Sequence, residues 1–186
     1  MKLSAEPCWR SRGQVNPREP GAVLWDWLVD RGSLTARLRG ACGGGFGVRL
    51  VSQGLARPEV NEVAALGLAA GASAVVREVV LHCAGVPWVF ARSVIPRATL
   101  GGGNARLGGL GERPLGELLF ADRRTRRGEV EVAVFGPGHR QYAAALAGSR
   151  PAGAPLWGRR SLFYLNGRPL LVSEIFLPDS PACAAR

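Results

Sequence analysis

The sequence predicts an α+β fold, a single domain in which one antiparallel sheet is covered by short helices. Three observations lead to this prediction. About six segments have the composition and alternation of β-strands, and several follow one another as hairpins. A few short stretches have helix-start residues in front of an apolar run. The length of 186 residues suits one domain with a hydrophobic core and leaves little room for a second.

The predicted helices are short. The apolar stretch Ala22–Val29 predicts the first. Ser33 has the side chain of an N-cap for a second helix, which begins at Leu34 and which Gly40 ends. A third helix is predicted over Leu115–Ala121, because a proline stands directly before it, at the start of a helix.

The strands alternate with tight turns. Asn166-Gly167 is the strongest short-range hairpin signal in the chain, and Ala84-Gly85 predicts a second tight turn. Consecutive hairpins predict an antiparallel sheet. The six predicted strands are Gly47–Gln53, Ala74–His82, Pro87–Ile95, Glu129–Phe135, Ser161–Leu165 and Pro169–Leu177.

The composition divides the chain into three parts. Residues 1–21 are polar and contain three prolines, so we expect an N-terminal arm. Residues 22–181 form the predicted domain. Within them, residues 136–156 are rich in Gly, Ala and Pro and are expected to form an extended excursion between two strands. Residues 182–186 remain as a short C-terminal tail.

The net charge of +10 and the isoelectric point near 11.0 point to an anionic partner. However, the basic residues are scattered and, apart from Lys2, are all arginine, as in a chain with a general compositional bias. The one tight cluster is Arg123-Arg124-Arg126-Arg127, and it lacks the interleaved aromatic residues of a nucleic-acid surface. We therefore expect no nucleic-acid binding, while a small anionic substrate agrees with the charge.

The sequence gives no sign of a metal site or of a membrane segment. Its four cysteines, Cys8, Cys42, Cys83 and Cys183, form no CxxC pair, so neither a zinc site nor a disulfide framework is expected. No apolar run approaches the roughly 18 residues that a membrane span needs, and no signal peptide is recognisable. A soluble cytoplasmic protein without a metal is the expectation.

Two charged residues stand in apolar rows. Side chains of a strand alternate between the two faces of a sheet. Arg77 therefore shares a face with the apolar residues of Ala74–His82, and Glu174 shares a face with those of Pro169–Leu177. A charge in such a row needs a partner of opposite sign.

Two interpretations of these charges remain open. Arg77 and Glu174 could form structural ion pairs, with each other or with Glu78 or Arg168. Alternatively, they form the cationic and anionic ends of an apolar pocket. Such a pocket would suit a flat hydrophobic ring with a carboxylate at one end and a hydroxyl at the other.

The segments around these residues follow, in register, the pattern of one enzyme family. They are Trp27–Arg37, Val76–Leu81, Gly85–Pro96, Leu110–Gly116, Leu119-Phe120, Leu156–Ser161, Gly167–Leu171 and Glu174–Pro178. Over about residues 22–181, this chain resembles the chorismate pyruvate-lyase family of ubiquinone biosynthesis. The resemblance implies a single domain with a six-stranded antiparallel sheet and helices that cover a buried ligand. It also implies conversion of chorismate to 4-hydroxybenzoate and pyruvate, without metal or organic cofactor. Because such a fold can close its own pocket, a monomer is the expectation.

The resemblance also implies roles for individual residues. Arg77 stands where the family has the arginine that binds the ring carboxylate. Glu174 stands where the family has the glutamate that meets the 4-hydroxyl end, and it is the candidate for orienting that hydroxyl or for acid/base work. Leu34 and Leu115 match two flap residues that close on the ligand and contribute main-chain contacts.

The second carboxylate of chorismate, on the enolpyruvyl group, needs its own partner. Arg92 is the candidate, because alternation places it in an apolar row of its strand. The alternative is that Arg92 forms an ion pair at a strand end. Arg159 and Arg160 are further candidates.

A function of another class also agrees with the fold. The same fold resembles the effector-binding domains of some bacterial transcription regulators, which bind small ligands without converting them. A non-catalytic, sensor-type domain for small aromatic acids is therefore the alternative to the lyase. Only about 20 residues precede the first matching helix, which is too few for the DNA-binding domain of such a regulator.

Overall fold

A single sheet, with strands of different lengths, forms the centre of the computed structural model, which describes residues 5–147 and 154–183. Its strands lie in the order β1-β5-β6-β7-β4-β3-β2, and every neighbouring pair is antiparallel. The strands are β1 Arg10–Ser11, β2 Phe46–Ala56, β3 Ala74–Cys83, β4 Val86–Pro96, β5 Arg126–Phe135, β6 Leu156–Leu165 and β7 Arg168–Phe176.

Five short α-helices accompany the sheet within the described ranges. They are α1 Ala22–Val29, α2 Leu34–Cys42, α3 Val60–Leu66, α4 Leu115–Ala121 and α5 Arg140–Leu146. Three single 3₁₀ turns complete the elements, at Arg12–Gln14, Arg97–Leu100 and Ala105–Gly109. None of the helices in these parts of the chain is long and apolar enough to cross a membrane.

The sheet has seven strands rather than the six expected from the sequence. The additional strand, β1, consists of Arg10 and Ser11, which pair with Val132 and Glu131 of β5. Two residues are too few to show the alternation by which a strand is recognised. The edge of β5 is thus covered by a short segment from the N-terminal part of the chain.

The two predicted hairpin turns are confirmed. Both residues of each turn have positive φ: 47° at Ala84 and 82° at Gly85, 52° at Asn166 and 76° at Gly167. This is the backbone of a type I′ turn, whose twist matches that of the strands it joins. These turns fix the register of β3 with β4 and of β6 with β7, and hence which side chains face the site.

Helices cover both faces of the sheet. On the inner face, α1 and α2 pack over β3 and β4 through buried residues that include Leu28 and Leu38. Farther along the same face, α4 packs through Leu115 and Leu119. On the outer face, α3 and α5 pack over the other side chains of the same strands. Each central strand is therefore apolar on both faces.

Helix α2 is longer than expected, and α3 was not expected. Gly40 lies inside α2, which continues to Cys42 and ends at Gly43 in the left-handed conformation. In α3, the side chains of Glu59 and Glu62 cap each other's backbone amides at the N-terminus, and Gly67 ends the helix. Seven residues with a glutamate as N-cap give a weak sequence signal, because serine, threonine, aspartate and asparagine are the preferred caps.

Two of the four cysteines form a disulfide, contrary to the expectation from sequence. Cys42 ends α2 and Cys83 ends β3, and their Cα atoms are 5.7 Å apart. The pair is separated by 41 residues, so only the folded structure reveals it. The bridge ties the end of α2 to the sheet.

Candidate active site

A pocket lies between the inner face of the sheet and the starts of α2 and α4. Two segments form its cover, the first flap (residues 32–35) and the second flap (residues 114–120). The sheet forms its floor, with apolar side chains such as Val79, Leu81 and Val172. Three arginines and one glutamate are the charged side chains of its lining: Arg77, Arg127, Arg159 and Glu174.

Arg77 reaches the pocket from β3, the second strand from one end of the sheet, and is only 2% exposed. Its guanidinium donates from Nε and Nη2 to the carbonyl oxygen of Gly111, and from Nη2 to that of Arg113, at 2.8–3.1 Å. Within the described ranges, no carboxylate lies within ion-pair distance of it. Burial lowers the pKa of Arg77 to about 10, because no anion offsets the loss of water.

A buried cation such as Arg77, with no carboxylate beside it among the described residues, has the character of an anion-binding group. Its loop contacts fix the guanidinium plane but supply no negative charge. Carboxylates match this group well, because arginine presents two parallel N–H donors. Of the two interpretations left open by the sequence, the one in which Arg77 forms a structural ion pair is therefore not supported among the described residues.

Glu174 enters the pocket from β7, where its cross-strand neighbour on β6 is Arg159. Arg159 Nε donates to Glu174 Oε2 at 2.6 Å, and its Nη1 donates to the carbonyl oxygens of Trp27 and Asp30. Glu174 thus forms an ion pair, although with Arg159 and not with the partners expected from sequence. Its carboxylate still lines the pocket, so it is both fixed and accessible to a ligand.

Arg127 is a third pocket cation, which sequence reasoning missed. Its Nε donates to Ser161 Oγ at 3.1 Å, and its Nη1 donates to the carbonyl oxygens of Asp30 and Gly32 at 3.2 Å. Burial, followed by the nearby charge of Arg159, lowers the pKa of Arg127 to about 10. Asp30 O accepts from both Arg127 and Arg159, so these two arginines hold the turn that leads into the first flap.

The two flaps meet above the pocket. Leu34 and Thr35 belong to the first turn of α2, and Leu115 and Gly116 belong to the first turn of α4. A Cβ atom at Gly116 would lie 2.8 Å from Thr35 Oγ1, which is closer than real Cβ contacts allow. Only glycine therefore permits this approach of the two helices.

The first turns of α2 and α4 place backbone N–H groups over the pocket. The first four N–H groups of a helix have no partner within the helix. Ser33 Oγ accepts one of them, from Ala36, at 3.3 Å. The N–H groups of Leu34 and Leu115 come earlier and remain available to a ligand anion.

The space inside the pocket is small. Its volume is about 40 Å³, compared with about 150 Å³ for an apolar cavity that holds benzene. A six-membered ring therefore enters only when the flaps move apart. A group of three His, Cys, Asp or Glu side chains that could hold a metal does not occur in residues 5–147 or 154–183.

Arg92 does not reach the pocket, and its sequence-based assignment is corrected. It lies on the outer face of the sheet, where its guanidinium donates to Glu62 of α3 at 2.7 and 3.0 Å and to Glu78 of β3 at 2.7 Å. Burial disfavours its charge, but the bonds to these two carboxylates outweigh burial and raise the pKa of Arg92. It is a structural ion pair that attaches α3 to the sheet. Arg160 likewise pairs outside the pocket, with Glu131.

The fold and the pocket define a class of protein, an α+β domain with an arginine-rich pocket between a sheet and helical flaps. The effector domain of PhnF from Mycobacterium smegmatis has a similar fold, with a TM-score of 0.53 at 21% identity over 80% of this chain and 90% of that chain. This likeness concerns the fold alone.

Sequence comparison identifies the family within this class. The chorismate lyase family model matches residues 5–183. A probable chorismate pyruvate-lyase of Methylococcus capsulatus is 52% identical over 152 residues, 82% of this chain and 93% of its own length. A probable chorismate pyruvate-lyase of Aromatoleum aromaticum is 49% identical over 164 residues, 87% of this chain and 88% of its own length. The chain belongs to the chorismate lyase family.

Proposed function

We propose that this protein is a chorismate pyruvate-lyase that converts chorismate to 4-hydroxybenzoate and pyruvate. The observation that carries the proposal is the pocket itself, in which the buried, unpaired Arg77 and the carboxylate of Glu174 lie along apolar walls. Membership in the chorismate lyase family supports the same reaction. Chorismate is a ring with a carboxylate at C1 and a hydroxyl at C4, and these groups suit the two residues.

Arg77 binds the ring carboxylate in this proposal. The guanidinium offers two parallel donors to a carboxylate, and the negative charge of that carboxylate offsets the free-energy cost of burying the Arg77 cation. The N–H groups of Leu34 and Leu115 add main-chain donors when the flaps close. Substrate binding and flap closure are thereby coupled.

Glu174 faces the C4 end of the ring. Its ion pair with Arg159 fixes the carboxylate, so one oxygen is held and the other is directed to the 4-hydroxyl. In this position it orients the hydroxyl or accepts and returns a proton beside the reacting carbons.

The reaction is an elimination in which all atoms of chorismate appear in the two products. The C3–O ether bond breaks, and its electron pair leaves with the enolpyruvyl oxygen. The hydrogen at C4 is lost, which makes the ring aromatic, and a proton added to the methylene carbon completes pyruvate. Because aromatisation supplies a large driving force, the protein mainly orients the substrate and stabilises charge on the departing oxygen.

The assay uses purified, EDTA-treated protein mixed with chorismate, with 4-hydroxybenzoate followed by absorbance and chromatography and pyruvate by a coupled enzyme. Equimolar appearance of both products is the expected result. Tight binding of 4-hydroxybenzoate without turnover of chorismate would contradict the proposal and would favour a sensor-type domain.

The proposal extends to the setting of the reaction. We infer that the 4-hydroxybenzoate feeds ubiquinone biosynthesis and that the protein works in the cytoplasm as a monomer. The pocket described above is lined by residues of one chain, so a single copy suffices to enclose the ligand. Size-exclusion chromatography with light scattering tests this: a mass near 19.7 kDa is expected, and a stable dimer would contradict it.

A further inference from the structure

The charges of the pocket do not balance. Arg77, Arg127 and Arg159 contribute three positive charges to its lining, and Glu174 contributes one negative charge. Asp30 stands nearby, but its carboxylate accepts from Arg37 and from the Gly32 amide and is not part of the lining. Two positive charges of the lining therefore lack a counter-charge, and buried charges are costly unless paired.

The two uncompensated charges match a dianion. Chorismate carries two carboxylates, one on the ring and one on the enolpyruvyl group, whereas 4-hydroxybenzoate and pyruvate carry one each. Arg77 accounts for the ring carboxylate under the proposed function. A second arginine is needed for the enolpyruvyl carboxylate, and the outer-face position of Arg92 removes it from consideration.

Arg159 already has a carboxylate partner within the pocket. Its Nε holds Glu174, its Nη1 donates to two carbonyl oxygens, and the side chain is 1% exposed. Arg127 differs, because its partners among the described residues are a hydroxyl and two carbonyl oxygens, and none of them is a carboxylate. Its guanidinium lines the pocket.

Arg127 also lies at the correct end of the pocket. Arg127 and Arg159 donate to the same carbonyl oxygen, that of Asp30, and Arg159 also holds Glu174. Arg77 instead donates to carbonyl oxygens of the loop that precedes the second flap. The enolpyruvyl ether is attached at C3, next to C4. When C1 faces Arg77 and C4 faces Glu174, the enolpyruvyl carboxylate comes beside Glu174, where Arg127 stands.

We propose that Arg127 binds the enolpyruvyl carboxylate and thereby distinguishes the substrate from the aromatic product; this assignment rests on the proposed function. Arg127 holds the part of the substrate that leaves, and Arg77 holds the part that stays. After the C3–O bond breaks, Arg127 retains only pyruvate, a small monoanion without the ring's apolar contacts. Pyruvate therefore dissociates more readily than 4-hydroxybenzoate.

Arg127 has a structural contact that the test must separate from ligand binding, because it also supports the first flap through the carbonyl oxygens of Asp30 and Gly32. The test compares two ligands by titration calorimetry: 4-hydroxybenzoate, with one carboxylate, and 3-[(1-carboxyvinyl)oxy]benzoate, a stable aromatic compound with the enolpyruvyl carboxylate. The variant Arg127→Gln keeps an amide donor for the carbonyl oxygens. Arg126→Gln, at an exposed neighbouring position, is the matched control.

Arg127→Gln is expected to weaken binding of the dicarboxylate at least tenfold and to change binding of 4-hydroxybenzoate less than threefold. KM for chorismate should rise in parallel, Arg127→Lys should recover part of the loss, and Arg126→Gln should resemble the wild type. If the affinities for both ligands fall equally, Arg127 only supports the flap. If neither affinity changes, Arg127 does not belong to the binding site. Either result overturns the proposal. Because calorimetry needs no turnover, the ratio of the two affinities judges Arg127 even if the wild type forms no product.

Discussion

At the scale of single residues, the pocket combines cations that have no carboxylate partner in the described part of the chain with one anion that is paired. Of these cations, Arg77 is the most deeply buried, so it has the most to gain from a ligand anion. Glu174 already has Arg159 as its partner, so a ligand does not have to neutralise it. We therefore expect the first residue to contribute mainly to affinity and the second mainly to turnover.

This division predicts different kinetics for two substitutions. Arg77→Ala should raise the Kd for 4-hydroxybenzoate and KM for chorismate by about 10- to 100-fold, the value of a hydrogen-bonded charge pair. Glu174→Gln keeps the shape of the side chain but not its charge, and should lower kcat by about 10²-fold or more with a smaller effect on binding. Steady-state kinetics and calorimetry measure both. Wild-type kinetics in either variant would contradict the roles assigned here.

Alternation along strands made Arg77 and Glu174 predictable, because both stand in regular, fully paired parts of β3 and β7. The same rule failed for Arg92. Both faces of the sheet are covered by helices, so an apolar row does not reveal which face contains the pocket. Alternation did not predict Arg127 as a pocket residue, because the pairing of β5 with β6 is irregular directly after it. In addition, the arginines near it in the sequence are exposed.

At the scale of elements, access to the pocket depends on the contact between α2 and α4. Gly116 and Thr35 touch there, and the pocket is too small for a ring while they do. The start of each helix was predictable from its N-terminal residues, Ser33 and Pro114. Their meeting was not, because it depends on the positions of two segments about 80 residues apart in the chain.

Adding a methyl group at this contact should hold the flaps apart. In Gly116→Ala, the new Cβ would lie 2.8 Å from Thr35 Oγ1, so the Thr35 side chain or the helix that carries it must shift. Affinity for 4-hydroxybenzoate should fall several-fold, with faster dissociation in stopped-flow fluorescence. Gly40→Ala is the control, since Gly40 lies within α2 and a Cβ there meets nothing within 4 Å. Equal dissociation rates for Gly116→Ala and the wild type would show that this contact does not limit release.

At the scale of the whole molecule, the fold class, the six longer strands and the hairpins agree with the prediction from sequence, because each depends on local patterns. The short strand β1 and the disulfide between Cys42 and Cys83 do not follow from local patterns. Both join segments that are distant in the chain. The disulfide ties the flap helix α2 to the sheet. It also closes a loop in the unfolded chain and so lowers the conformational entropy of the unfolded state.

Removing the disulfide should lower the free energy of unfolding. For cysteines 41 residues apart, the chain-entropy model gives a loss of about 4 kcal/mol. Urea unfolding of Cys42→Ser without reductant measures the loss, and Cys8→Ser, at an exposed free cysteine, is the control. With dithiothreitol present, the wild type should approach the variant. Identical unfolding midpoints for the wild type and Cys42→Ser under oxidising conditions would contradict this.

The most direct measurement for the pocket as a whole is a crystal structure with 4-hydroxybenzoate bound. We expect the ring between the sheet and the two flaps, its carboxylate within hydrogen-bond distance of the Arg77 guanidinium and its hydroxyl on the Glu174 carboxylate. A ring bound in the reverse direction, or outside this pocket, would contradict the assignment of Arg77 and Glu174 on which the proposed function rests.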